Sequence, residues 1–454
     1  MLQSINPATE EEIKTYTEMS FDEVSSIIEE THQTFLAWKE TSFAERKIRM
    51  KNAATVLRHN SKKYSELMTL EMGKPIKQSY AEVEKCAWVC EYYAENAEFF
   101  LMDKIIETEA EKSFVTFRPI GTVLAVMPSN FPFWQVFRFA APGLMAGNAG
   151  VLKHASNVMG CAIAIEEVFS EAGFPKNLFR SLIISSKNMK EVIGHPQIAA
   201  VTLTGSVPAG KAVAAAAGAV LKKTVLELGG SDAYVILEDA DLDAASENCV
   251  TSRLLNAGQS CIAAKRFIVV DKIYDEFEKL FVEKMKLKNM GDPMDEKNYI
   301  GPQARTDLRD ELHQQVVASV KKGAKLLLGG EIPQRKGAYY PPTVLSNVKA
   351  GMPAYDEELF GPVAALIKVK DEAEALKTAN DSIFGLGAAV FTKDKNRGEK
   401  IAKEKLDAGC CFVNEFVKSD PRLPFGGIKE SGYGRELSHY GMREFVNIKT
   451  VYIK

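Results

Sequence analysis

Apolar positions change their spacing along this chain, and the changes mark out its elements. From Phe21 to about Phe100 they recur at three- and four-residue steps among many Glu and Lys residues, which predicts helices. Ser20 and Asp22 offer N-cap oxygens ahead of the first helix. The helical region ends near Lys104, and residues 108–118 read as an extended arm centred on Phe114-Val115-Thr116-Phe117. Short apolar runs predict strands at 121–127, 150–153, 178–184, 198–204 and 223–228, with helices at about 157–172 and 188–193 between them. Such alternation predicts a parallel sheet covered on both faces. A second alternating region places strands near 234–237, 266–270, 325–328, 363–368 and 387–392, and the tail 449–454 reads as a last strand. No repeat, low-complexity tract or flexible linker interrupts the series.

The interval between Arg118 and Arg138 carries no charge, but it contains Pro128, Asn130, Pro132 and Gln135. Lipid would leave those groups unsatisfied, so the reading is a buried strand and loop and no membrane span. The chain has 454 residues, enough for two or three domains. With 57 basic against 60 acidic residues its net charge is −3, which gives no reason to expect nucleic acid or an acidic membrane surface as a partner. Seven cysteines do not make a disulfide framework, and no His or Cys spacing marks a metal site. The start, Met1 to Pro7, lacks the basic head and apolar stretch of a leader, so a reduced, cytoplasmic enzyme is expected.

Four positions carry candidate chemistry. Cys261 lies in a polar Gly258-Gln259-Ser260 turn between apolar segments, where a thiolate is able to attack a carbonyl; a lone cysteine is otherwise a small buried hydrophobe. Glu227 is a carboxylate inside an apolar strand, and partial desolvation suits it to general-base work; a structural salt bridge is the alternative. Asn130, in Pro128-Ser129-Asn130-Phe131-Pro132, offers an amide NH₂ to an oxyanion, or else bonds to its own loop. Gly205-Ser206 opens a helix after a strand, and free N–H groups there attract phosphate, although GxGxxG is absent.

Together these stretches resemble the aldehyde dehydrogenase superfamily over nearly the full length. The resemblance rests on Asn130-Phe131-Pro132-Phe133-Trp134, Ala146-Gly147-Asn148 with Lys153, Thr204-Gly205-Ser206, Glu227-Leu228-Gly229-Gly230 and Gly258-Gln259-Ser260-Cys261. It continues in Glu358-Leu359-Phe360-Gly361-Pro362-Val363, Pro424-Phe425-Gly426-Gly427-Ile428-Lys429 and Ser431-Gly432-Tyr433-Gly434-Arg435-Glu436. The implied fold is α/β, with a Rossmann-like cofactor-binding domain over 1–107 and 119–228 and an α/β catalytic domain over 229–415. Residues 108–118 and 437–454 would form a small β oligomerisation arm of a homodimer or homotetramer, and 416–436 a return segment to the cofactor domain. The implied roles are Cys261 as nucleophile, Asn130 as oxyanion donor and Glu227 as activator of water. Lys153, Ser156, Gly205, Ser206, Glu358 and Phe360 would bind NADP or NAD.

Some positions depart from the commonest pattern. Ser129 replaces a tryptophan, and Ala263 replaces a second cysteine near the nucleophile. Phe139 stands where many members carry a lysine, so a proton relay through that position is not carried over. Ser156 stands where NAD-preferring relatives often carry glutamate; a hydroxyl is able to hydrogen-bond a 2′-phosphate that a carboxylate would repel, which favours NADP. Arg138 follows the apolar segment after Asn130 and needs an anionic partner. That neighbourhood resembles the short bacterial succinate-semialdehyde dehydrogenases. The expected substrate is succinic semialdehyde, with Arg138 and Ser419 on its carboxylate and Trp134 and Phe425 as walls; a structural arginine paired with an acid of the family is the alternative for Arg138. Glutaric semialdehyde or an uncharged aliphatic aldehyde is the rival substrate, and a non-catalytic binding protein on the same scaffold is the rival of another class.

Overall fold

The computed structural model describes residues 1–454. An antiparallel hairpin pairs Leu2–Ile5 with Glu12–Tyr16, a feature absent from the hydrophobic pattern. Four helices follow, Phe21–Trp38, Phe43–His59, Ser61–Met72 and Ile76–Phe100. Ser20 and Ser42 start the first two through capping boxes with Glu23 and Glu45, each serine oxygen accepting from the glutamate N–H while the glutamate accepts from the serine N–H.

A six-stranded sheet carries the next part of the chain. Its order is Gly432–Tyr433, Lys223–Glu227, Ile198–Thr204, Thr122–Met127, Ala149–His154 and Phe179–Ser181. All neighbours are parallel except the short outer strand Gly432–Tyr433. The chain starts in the middle with Thr122–Met127, runs outward on one side and then returns to build the other. The carboxyl end of Thr122–Met127 is therefore a topological switch point, where connections leave in opposite directions and a crevice opens. The apolar run at 178–184 contributes only Phe179–Ser181 to the sheet.

The segment after Thr122–Met127 corrects the sequence reading. The reading there is loop as far as Arg138, but Trp134–Ala146 is a helix in which every residue is buried. Gln135 and Arg138 are buried along with the apolar residues, so the helix has no solvent-facing polar side of the kind that marks an amphipathic helix. Its first turn is held by Glu82, whose carboxylate accepts from the N–H groups of Phe133 and Trp134, both at 2.9 Å. Glu82 is itself paired with the fully buried Lys74.

A seven-stranded sheet follows, ordered Lys325–Leu328, Thr343–Ser346, Val363–Val369, Ala264–Val270, Asp232–Ile236, Gly387–Phe391 and Cys410–Val413. Only the first pair is antiparallel. Val446–Ile453 pairs antiparallel along all of Lys112–Pro119, with Lys104–Ile105 beside it, in a separate three-stranded ribbon. The ribbon leaves Ile105, Ile448, Tyr452 and Ile453 exposed. All seven cysteines are unpaired, and Cys86, Cys90, Cys161 and Cys249 are buried among core side chains.

Candidate active site

The loop that carries Cys261 lies between helix Leu242–Leu254 and strand Ala264–Val270, and its backbone is forced into an uncommon shape. Asn256, Ala257 and Gly258 all have positive φ, at 54°, 53° and 75°. Left-handed backbone in non-glycine residues is costly and persists only where surrounding contacts impose it. Those contacts are present. Arg253 donates to the Gly258 carbonyl at 2.7 Å, and the Asn256 amide donates to the carbonyls of Asn130 at 2.6 Å and Gln259 at 3.1 Å. Gln259 accepts from the Ala304 N–H at 2.8 Å, and a β-carbon at Gly258 would collide with the Gly361 carbonyl. Buried Lys265 then donates to the carbonyls of Ser260 at 2.9 Å and Cys261 at 2.6 Å, and pairs with Glu358 at 3.3 Å.

Cys261 is half-buried in the wall of a cavity of about 180 Å³. Phe131, Trp134, Ile262 and Phe425 supply apolar wall, while Glu82, Lys85, Arg138, Lys418 and Ser419 supply charged and polar wall. Burial pushes the thiol up to about 12, against the opposing pull of Arg138 and Lys265. The thiol is thus the resting form, and deprotonation must accompany attack. Asn130 docks beside the nucleophile loop, its Nδ2 donating to the Gln259 carbonyl at 3.2 Å while its Oδ1 has no protein partner. One amide hydrogen is therefore left over for another acceptor.

Glu227 ends the strand Lys223–Glu227 and is fully buried, with neither carboxylate oxygen hydrogen-bonded. Burial and then the charge of Glu436 push its carboxyl well above the usual range, while Arg138 and Arg435 pull the other way. It lies against Gly426, outside the residues that line the Cys261 cavity. Arg138 does reach that cavity, but two of its nitrogens are committed. Nε pairs with buried Glu436, Nη2 donates to the Thr204 hydroxyl at 3.2 Å, and the guanidinium lies over the Phe425 ring at 4.6 Å. Ser419 accepts from Lys85 at 2.8 Å, and Lys85 lies over the Trp134 ring at 4.2 Å.

The cofactor candidates gather mainly at the carboxyl edge of the six-stranded sheet. Lys153 is the penultimate residue of strand Ala149–His154, and burial alone lowers its ammonium, with no carboxylate opposing the shift. Ser156 is exposed just beyond it, at the start of a short 3-10 turn. Gly205 follows strand Ile198–Thr204, and Ser206 precedes helix Val207–Gly218 without capping it through its side chain. The first N–H groups of this helix consequently have no side-chain acceptor. Glu358 accepts from the Gly230 N–H at 3.0 Å, and with Phe360 lines a second cavity of about 430 Å³. A lysine without a counter-ion and an uncapped helix start at a switch point fit the ribose and phosphates of a dinucleotide.

Sequence reasoning missed Lys85 and Lys265, and it held an acid partner for Arg138 only as the alternative, without identifying Glu436. Lys85 falls in an amphipathic helix, where a cavity lysine and a surface lysine look alike. Lys265-Arg266 inside the apolar run Ala263 to Val270 was a usable signal, since two buried cations require acceptors. Glu436 belonged to a recognised motif, but only the fold brings it to Arg138.

The aldehyde dehydrogenase family model matches residues 1–451. The chain is 48% identical over 452 residues to a Synechocystis protein named "Probable succinate-semialdehyde dehydrogenase, NADP(+)", covering 100% of this chain and 99% of the relative. It is 47% identical over 449 residues to the Escherichia coli "Succinate semialdehyde dehydrogenase, NAD(P)+, Sad", covering 99% and 97%. The crystal structure of succinic semialdehyde dehydrogenase from Streptococcus pyogenes in complex with NADP+ superposes with a TM-score of 0.97 at 39% identity, covering 100% of both chains.

Proposed function

Because the chain belongs to the aldehyde dehydrogenase family, we propose that it oxidises succinic semialdehyde to succinate with NADP⁺ or NAD⁺. The observation that carries the substrate is the Cys261 cavity, whose apolar walls and clustered Lys85, Arg138 and Ser419 suit a short chain ending in a carboxylate.

In the proposed sequence, Cys261 Sγ loses its proton to solvent water and bonds to the aldehyde carbon, and the carbonyl electrons move onto oxygen. The free amide hydrogen of Asn130 and the Cys261 N–H face that oxyanion. A bound nicotinamide would supply the hydride acceptor for this carbon, which Cys261 would then hold as a thioester. Glu227 takes a proton from water as it attacks the thioester, the acid is released, and that proton returns to the departing Cys261 sulfur to restore the thiol. Its raised affinity for protons means that it must first ionise, and movement from its buried position toward the thioester is part of this reading. Lys153, Ser156, Gly205, Ser206, Glu358 and Phe360 would hold the dinucleotide.

The hydroxyl of Ser156 in place of a carboxylate supports NADP⁺ as the favoured form. No helix is long and apolar enough to cross a membrane. The proposed setting is the cytoplasm, and the exposed apolar residues of the three-stranded ribbon support a homodimer or homotetramer formed through it. The test follows reduced-cofactor absorbance with each nucleotide and with succinic semialdehyde, glutaric semialdehyde and acetaldehyde. Succinic semialdehyde is expected to give the highest kcat/KM; a higher value with either of the others removes the proposed substrate.

A further inference from the structure

The cavity holds one cation whose counter-ion the fold does not supply. Lys85 is half-buried on helix Ile76–Phe100, its ammonium over Trp134 and bonded only to the Ser419 hydroxyl. The carboxylates that influence it are engaged elsewhere: Glu82 pairs with Lys74 and Asp420 with Arg422. Of the other two cations in the cavity lining, Arg138 is already neutralised by Glu436 and Lys418 pairs with Glu415 at 3.4 Å. An ammonium has three donors, so two remain beside the wall that also carries Cys261.

We propose that Lys85, with Ser419 positioning it, is the residue that selects a carboxylate-bearing aldehyde, and that Arg138 chiefly shapes and orders the pocket. This rests on the succinic semialdehyde reading above. A desolvated ammonium facing a carboxylate gives a strong charge-assisted bond, whereas a guanidinium already paired with Glu436 adds little further attraction. The electrostatics agree with an unpaired state. Burial first, and then the charge of Arg138, pull Lys85 down to about 8, with Cys86, Glu82 and Asp420 opposing. In the free enzyme Lys85 is therefore charged below about pH 8 and loses its charge above it, so carboxylate binding weakens as pH rises through that value.

The test compares kcat/KM for succinic semialdehyde with kcat/KM for butanal in wild type, Lys85→Met, Lys85→Arg and Arg138→Met. Methionine keeps an apolar stem over Trp134, and thermal melts check that each variant is folded. In Lys85→Met the ratio is expected to fall at least about tenfold, mainly through KM for the semialdehyde. Lys85→Arg is expected to retain most of the ratio and to abolish the rise in that KM above pH about 8. A ratio within about twofold of wild type in Lys85→Met, with a large fall in folded Arg138→Met, overturns the assignment in favour of Arg138. A wild-type enzyme that does not prefer the semialdehyde overturns the substrate reading itself, and the assignment with it.

Discussion

The two faces of the catalytic crevice are built on different principles. On one face, Asn130, Lys153, Ser206 and Glu227 lie at or just beyond the carboxyl ends of regular parallel strands, and the strands set their positions without unusual backbone. On the other, Cys261 rides on a loop with three successive positive-φ residues, held in place by Arg253, Asn256 and Lys265. Strand ends position groups cheaply, because ladder hydrogen bonds already fix the chain. The nucleophile loop is ordered only by specific side chains and by the room that Gly258 leaves for Gly361. Changes on the first face should therefore alter rates while the protein stays folded, and changes to the supports of the second should alter folding and rate together.

The largest effect expected is in Cys261→Ala, which removes the nucleophile but none of the loop's supports. Its kcat should fall about 10⁴-fold or more with its melting temperature almost unchanged, as steady-state assays and calorimetry would show. Gly258→Ala sharpens the contrast. A β-carbon there meets the Gly361 backbone and the positive φ together, so roughly 2–3 kcal/mol of stability should be lost along with most activity. If its melting temperature and kcat both match wild type, the loop is not held as described.

Glu227→Gln belongs to the strand-end face and should fold normally. Its kcat should fall about 10²–10⁴-fold, with a rapid first turnover of cofactor reduction preserved in stopped flow, because attack on the thioester is the step that needs the base. The pH response has a definite sign. Cys261 and Glu227 are both shifted toward their protonated forms, and each acts after losing its proton, so activity should rise as pH climbs past the ordinary carboxylate range. The carboxylate limb of that rise should vanish in Glu227→Gln. A wild-type profile that falls steadily from acid to neutral pH contradicts both assignments.

The smallest effect expected is in exposed Ser156→Glu. A carboxylate there should lower kcat/KM for NADP⁺ about tenfold relative to NAD⁺ and leave stability alone, since the side chain supports nothing in the fold. Equal loss with both nucleotides would place Ser156 away from the 2′-position.

By itself, the sequence determined the alternation of strands and helices, because half-buried helices and buried strands write their periods into the apolar positions. It also singled out Cys261, Asn130 and Glu227, each a reactive or polar group in a setting that demands an explanation. The hydrophobic pattern was silent on the helix Trp134–Ala146, which is buried on every side, and on the short hairpin at the start of the chain. Only the tertiary structure decided that Arg138 meets Glu436 and that Lys85 faces Ser419, pairs separated by hundreds of residues. Pairing between charges depends on distance in space and on the exclusion of water, and neither is encoded in the local order of residues. One cation of the pocket is therefore neutralised by the fold while another is left to meet a ligand.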